Sequence, residues 1–204
     1  MFLPIRKIVP RIAAPTFVAA TLLAASLAPA AAQSQGNYNK APGSESYSQD
    51  EIVNAGHRFF GKVSGGLASV VEKAVSKYGQ PNGYILGEEG SGALVAGARF
   101  GEGELYTRNA GSHKVFWQGP SVGWDFGGDG ARVMMLVYNL PAVNALYRRY
   151  VGANGSAYLV GGFGMTVLSN HDIYVVPIHA GVGARLGINV GYLKFTEKPT
   201  WNPF

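Results

Sequence analysis

Four groups of residues in this 204-residue chain are of types that could do chemistry, and each also has a plainer structural role. Gly181, Gly183 and Gly187 approximate a dinucleotide-binding glycine pattern, in which bare backbone approaches a pyrophosphate at a helix N-terminus. The spacing is wrong and no helix follows, so these glycines read as one face of a strand. Serine, histidine and acidic residues are present without a G-x-S-x-G elbow to expose a nucleophile. His57 falls in a helix, His113 and His171 in turns, and His179 at the end of a strand on its glycine-bearing side. No two have the H-x-x-x-H spacing that sets two imidazoles on one helix face for zinc. Glu88 and Glu89 point to opposite faces if extended, while Asp125 and Asp129 straddle the turn at Gly127 and Gly128, where acids usually form loop hydrogen bonds. Glycosidase chemistry needs two carboxyls facing one sugar. No catalytic residue, metal site or cofactor is expected from these patterns.

The remaining group is aromatic. Phe116, Trp117, Trp124 and Phe126 flank the turn at Gly119, Pro120 and Ser121. Aromatic residues across a hairpin ordinarily pack on one another. The alternative is an exposed platform, since an indole combines an apolar body with a polar handle. With the cation of Arg132 nearby, Trp117 and Trp124 would then suit an acyl chain bearing an anionic head group, or a glycan. Trp117, Trp124 and Arg132 are therefore the expected ligand-binding residues.

Helices come first among the elements that must position these side chains. Ser48 with Glu51 three residues later forms a capping box, and Asp50 and Glu51 suit the positive end of a helix dipole. Ile52, Phe59, Phe60 and Val63 give an apolar stripe. A second helix starts near Ser64, with Leu67, Val70, Val71, Ala74, Val75 and Tyr78 on one face, and is stopped by Gly79 and Pro81. These helices are expected to cover an open end or edge of a sheet.

From Gly83 onward the apolar period becomes two. Strands are expected over residues 93–100, 104–108, 114–118, 122–126, 132–139, 157–168 and 173–179, and over a long bent strand at 181–195. In that last strand Val182, Ala184, Leu186, Ile188, Val190 and Tyr192 share a face. Residues 132–139 are apolar on both faces and should be central. Pro141 should open a short helix over 141–150. The 29 glycines suit bulges, turns and curved strands. These features predict a mainly β fold, a small antiparallel barrel of roughly eight to ten strands, mostly meander-connected, with flanking helices.

Composition limits the function classes. Charged residues make up only 14% of the chain against 47% apolar, too apolar for wholesale disorder. Of the 17 basic residues, Arg6, Lys7 and Arg11 lie in the first eleven positions, leaving 14 against 12 acids, with no basic block longer than Arg148–Arg149. The clustered charge of a nucleic-acid interface is absent. There is no cysteine, hence no disulfide or thiol chemistry. Residues 1–32 combine a basic start, an uncharged apolar stretch and an A-x-A end at Ala30 and Ala32, the pattern of a signal peptide cleaved before Gln33. Residues 33–47 are polar and read as a flexible linker, and 48–204 as a single barrel domain with N-terminal helices. A membrane-spanning barrel is disfavoured by Pro199 and Pro203, which break the final segment.

The segment WQGPSVGWDFGGDGARVMMLVYNLPAVNALY at 117–147, with GYILGEEGSGALVAGARFGEGELY at 83–106, resembles the envelope integrity protein A family over about residues 48–204. The same order of elements is more distantly similar to lipid-binding SYLF domains. The resemblance implies a periplasmic β-barrel protein that supports envelope integrity, with no established enzymatic activity and no catalytic residue to carry over; a non-enzymatic role is expected. The SYLF similarity adds a lipid-binding role; with the aromatic platform and the scattered charge, the expected partner is an envelope lipid or glycan, with peripheral membrane contact and no nucleic acid. The basic residues that serve lipid binding in SYLF domains have no clear counterpart here. The alternative is a hydrolase or transferase acting on envelope glycans.

Overall fold

The structure, a computed structural model, describes residues 45–61, 64–91, 98–120, 131–152, 157–181, 191–200 and 202. The expected signal peptide lies outside them, as do most of the linker, Trp124, the candidate strand at 122–126 and most of the candidate strand at 181–195. Two helices come first, α1 (Gln49–Phe60) and α2 (Gly65–Tyr78). The Ser48 hydroxyl accepts from the Glu51 amide, and the Glu51 carboxylate accepts from the Ser48 amide, closing the capping box. Gly61 ends α1 at φ 72°, where a side chain would be strained.

Among the described residues ten strands follow: β1 (Gly83–Ser91), β2 (Ala98–Thr107), β3 (Gly111–Pro120), β4 (Ala131–Tyr138), β5 (Arg149–Gly152), β6 (Tyr158–Val160), β7 (Phe163–Met165), β8 (Leu168–Asn170), β9 (Ile173–Ala180) and β10 (Tyr192–Thr196). Every pairing is antiparallel. Eight of them close a barrel in the order β4-β1-β2-β3-β10-β5-β8-β9, sealed by the β4–β9 pair. β7 pairs with β9 beyond the end of β8 and carries β6 with it. Closure leaves no exposed edge on the eight-stranded wall, which is the favoured solution for short strands.

Alternation assigns the faces. Ile85, Leu105, Val115, Trp117, Val133, Met135, Val137, Val175, Leu193 and Phe195 fill the interior. Met134, Leu136 and Tyr138 point outward from β4 and are buried under Ile52, Leu67, Val70, Val71 and Ala74 of the helices. β4 is thus covered on both faces, as its two-sided apolar sequence requires.

Several expectations are corrected. The helices cover the outer wall at β4, β7 and β9, not an open end or edge, because that is where both strand faces are apolar. β1 is a full strand, and 98–107 is one strand rather than two, since Gly101 and Gly103 continue the ladder. Only β1–β2–β3 and the short hairpins are meander-connected, while β4, β5 and β10 are inserted non-sequentially. The helix expected over 141–150 shrinks to a single 3-10 turn, Val143–Leu146, before β5 begins. In β10 the buried parity is Leu193 and Phe195, with Tyr192 on the other side.

Candidate functional site

Polar residues inside the barrel gather around one carboxylate. Glu89 is the last inward position of β1 whose burial the structure describes, and its side chain is only 11% exposed. Arg99 Nη1 lies 3.2 Å from Glu89 Oε1, and Trp117 Nε1 donates to Oε2 at 2.9 Å. His179 Nε2 stands 3.4 Å from Oε1, from β9 across the lumen. Burial alone would raise the Glu89 carboxyl. The Arg99 charge, His179 and the indole N–H outweigh it and leave the carboxyl at about 2. A carboxylate held ionised in this way is a poor general acid, and its oxygens are occupied by internal partners. Arg99 Nε and Nη2 are buried and have no hydrogen-bond partner among the described residues.

Glycines make room for the Trp117 indole. Gly101 is its cross-strand partner, and a side chain at Gly101 or Gly87 would collide with the ring. A Cβ at Gly103 would strike the β1 backbone at Leu86 and Gly87. Gly87 and Gly101 form a bare floor on which the indole lies, with its N–H turned to Glu89.

Of the expected ligand-binding residues, Trp117 and Arg132 are described, and they do not meet. Trp117 is fully buried, and its polar handle is spent on Glu89. Arg132 is on the outer face of β4, donating to the Phe59 carbonyl at 3.0 Å and standing 3.8 Å from Glu88. The barrel wall separates the two side chains. Trp124 lies outside the described residues.

A different surface has the makings of a site. Over β1–β3, Glu88, Phe100, Glu102, Phe116 and Gln118, with Gly101 and the expected site residue Trp117 beneath them, line a groove of about 220 Å³, bordered by Pro199 and Thr200 of the C-terminal segment. Register explains the grouping: Gln118 is opposite Phe100, Phe116 opposite Glu102, and Glu102 opposite Glu88. Gln118 is 1% exposed, and its Nε2 has no partner among the described residues. A buried amide left unmatched costs about 1–3 kcal/mol, so its retention calls for an acceptor. Glu88 and Glu102 are more than half exposed, and each already faces a cation, Arg132 at 3.8 Å and Lys114 at 3.2 Å.

The envelope integrity protein A family matches residues 45–204. The chain belongs to that family. A crystal structure of a beta-barrel-like, uncharacterized protein from Brucella abortus is 62% identical to it. The match covers 79% of this chain and 100% of that chain, with a TM-score of 0.76. No curated protein matches. Family membership ties the chain to the cell envelope and its integrity, and the Brucella protein has the same barrel-like architecture.

In this family member the interior cluster escaped the sequence reading because its members are far apart in the chain. Alternation put Glu88 and Glu89 on opposite faces and set His179 on the glycine-bearing face of its strand, but it did not name Arg99 as a partner. A usable signal existed: Gly87, Gly101 and Gly103 alternate with outward residues, which marks a bulky inward neighbour. His57 is structural, its Nε2 lying 3.3 Å from both the amide and the carbonyl of Ser64 between the helices. No cluster of metal-ligating residues occurs among the described residues.

Proposed function

We propose that the protein is exported to the periplasm through residues 1–32 and supports the envelope without turnover, by binding an envelope component in the outer groove over β1–β3. The observation that carries this reading is the groove itself, lined by Phe100 and Phe116 together with Gln118, whose amide is buried and unmatched. Ligand sites typically combine apolar walls with a few placed polar groups.

Complementation tests it. A strain lacking its own copy should regain resistance to envelope stress with the wild-type protein. The Phe116→Ser variant, folded and exported to the same level, should fail to restore it. Full restoration by that variant would remove the groove from the account.

The opposed carboxylates of Glu88 and Glu102 favour the second reading, a glycan hydrolase. Their exposure and ion pairing are the reverse of the desolvation that raises a catalytic acid. Replacing both by Gln removes acid–base capacity while keeping hydrogen-bonding groups, and complementation should survive. Its loss, with binding intact, would favour the enzyme.

A further inference from the structure

We infer that the outer groove takes a single uncharged sugar ring, an inference that rests on reading that groove as a binding site. Three features of its chemistry narrow the occupant. The first is charge. Glu88 faces Arg132, and Glu102 faces Lys114, so both rim carboxylates are already compensated. An anionic head group would meet two carboxylates, and a cationic peptide would have to displace partners the protein supplies. The rim is thus matched to a neutral group.

The second feature is the unmatched Gln118 amide. An acyl chain carries no acceptor and would leave that donor unsatisfied on binding. A sugar hydroxyl accepts from it, and other hydroxyls donate to the free oxygen positions of Glu88 and Glu102, since an ionised carboxylate accepts several hydrogen bonds. The third feature is shape. Phe100 and Phe116 stand on neighbouring strands of one face, and Gly90, opposite Phe100, has open space where a side chain would stand. The apolar C–H face of a pyranose packs against the ring surface that Phe100 and Phe116 turn to the groove, beside the Lys114 ammonium 5.2 Å from the Phe116 ring centre, leaving its hydroxyl edge to the polar groups. At about 220 Å³ the groove is smaller than pockets that enclose drug-sized ligands, and it fits one ring better than an extended chain.

The test follows the Gln118 side-chain amide by NMR in the exported chain. The probes are maltose, cellobiose and diacetylchitobiose, with phosphatidylglycerol vesicles and trilysine alongside. At least one disaccharide should move the Gln118 amide saturably at millimolar concentration. Gln118→Leu should weaken that binding about tenfold, the worth of one hydrogen bond, at an unchanged melting temperature. If Gln118→Leu does not fold, Phe116→Leu serves instead, keeping apolar volume while removing the ring face. A response to vesicles or trilysine alone overturns the sugar and leaves the groove as a binding site. Silence with every probe also overturns the sugar. The groove reading itself then stands or falls with the Phe116→Ser complementation.

Discussion

Glu89 is the residue on which the interior chemistry turns. A group whose folded pKa is depressed contributes stability above its unfolded value and loses it as pH falls through the folded one. With Glu89 near 2 in the fold, against a usual value near 4.5, that contribution is complete above about pH 5 and disappears between about pH 4.5 and 2. Its size is up to about 3 kcal/mol. Glu51 is lowered to about 2 in the same way, chiefly by the Arg108 hydrogen bond. Its side chain is 41% exposed, so solvent screening leaves it worth under about 1 kcal/mol. Urea melts at pH 6 and pH 3 should show this loss, and Glu89→Gln should flatten most of the difference. An equally steep acid dependence in the variant would assign the effect to other carboxylates.

At the scale of elements, the glycines of β1 and β2 divide by which way they face. Gly101 supports the Trp117 ring, whereas a Cβ on Gly90 would meet nothing within 4 Å. Gly101→Ala should destabilise by about 1–3 kcal/mol or more, because the ring must leave its slot. Gly90→Ala should stay within about 0.5 kcal/mol of wild type, since strand glycine also costs backbone entropy. Urea midpoints compare the two directly, and equal shifts would show that the indole does not lie on that floor. The helices make the complementary point. Leu67, Val70, Val71 and Ala74 form their stripe in sequence, but they come to rest on β4, β7 and β9 because that stretch of wall is apolar outside as well as inside.

For the whole molecule, the barrel domain needs the closing β4–β9 ladder, which runs from Val133↔His179 to Tyr138↔Tyr174. That ladder brings His179 across the lumen to Glu89 and leaves Glu88 on the outer wall beside the groove. No described helix is long and apolar enough to cross a membrane. Protein recovered by osmotic shock should have an intact mass beginning at Gln33, as the A-x-A sequence at Ala30 and Ala32 requires. Material that keeps residues 1–32 would mean an anchored protein, with the groove held near a membrane surface.

The sequence by itself determined what is local. The Ser48 capping box, the Gly79 stop, the apolar stripe of α2 and the two-sided burial of β4 all depend on neighbours within a turn or on strict alternation, and each stands where the sequence set it. The barrel class was legible too, since many short strands separated by glycine turns have few other ways to hide their edges. Only the tertiary structure decided which face of each strand became the inside. Alternation defines two faces without naming them, and a shift of one residue in register exchanges them. Hence Trp117, whose sequence allowed a packed ring or an exposed platform, became core when its ring met Gly101, and Leu193 rather than Tyr192 took the inward place on β10. Hence also Phe100 and Gln118, unremarkable along the chain, came to line one groove with Phe116. Their grouping follows from pairings between strands, and those are fixed by closure of the whole sheet.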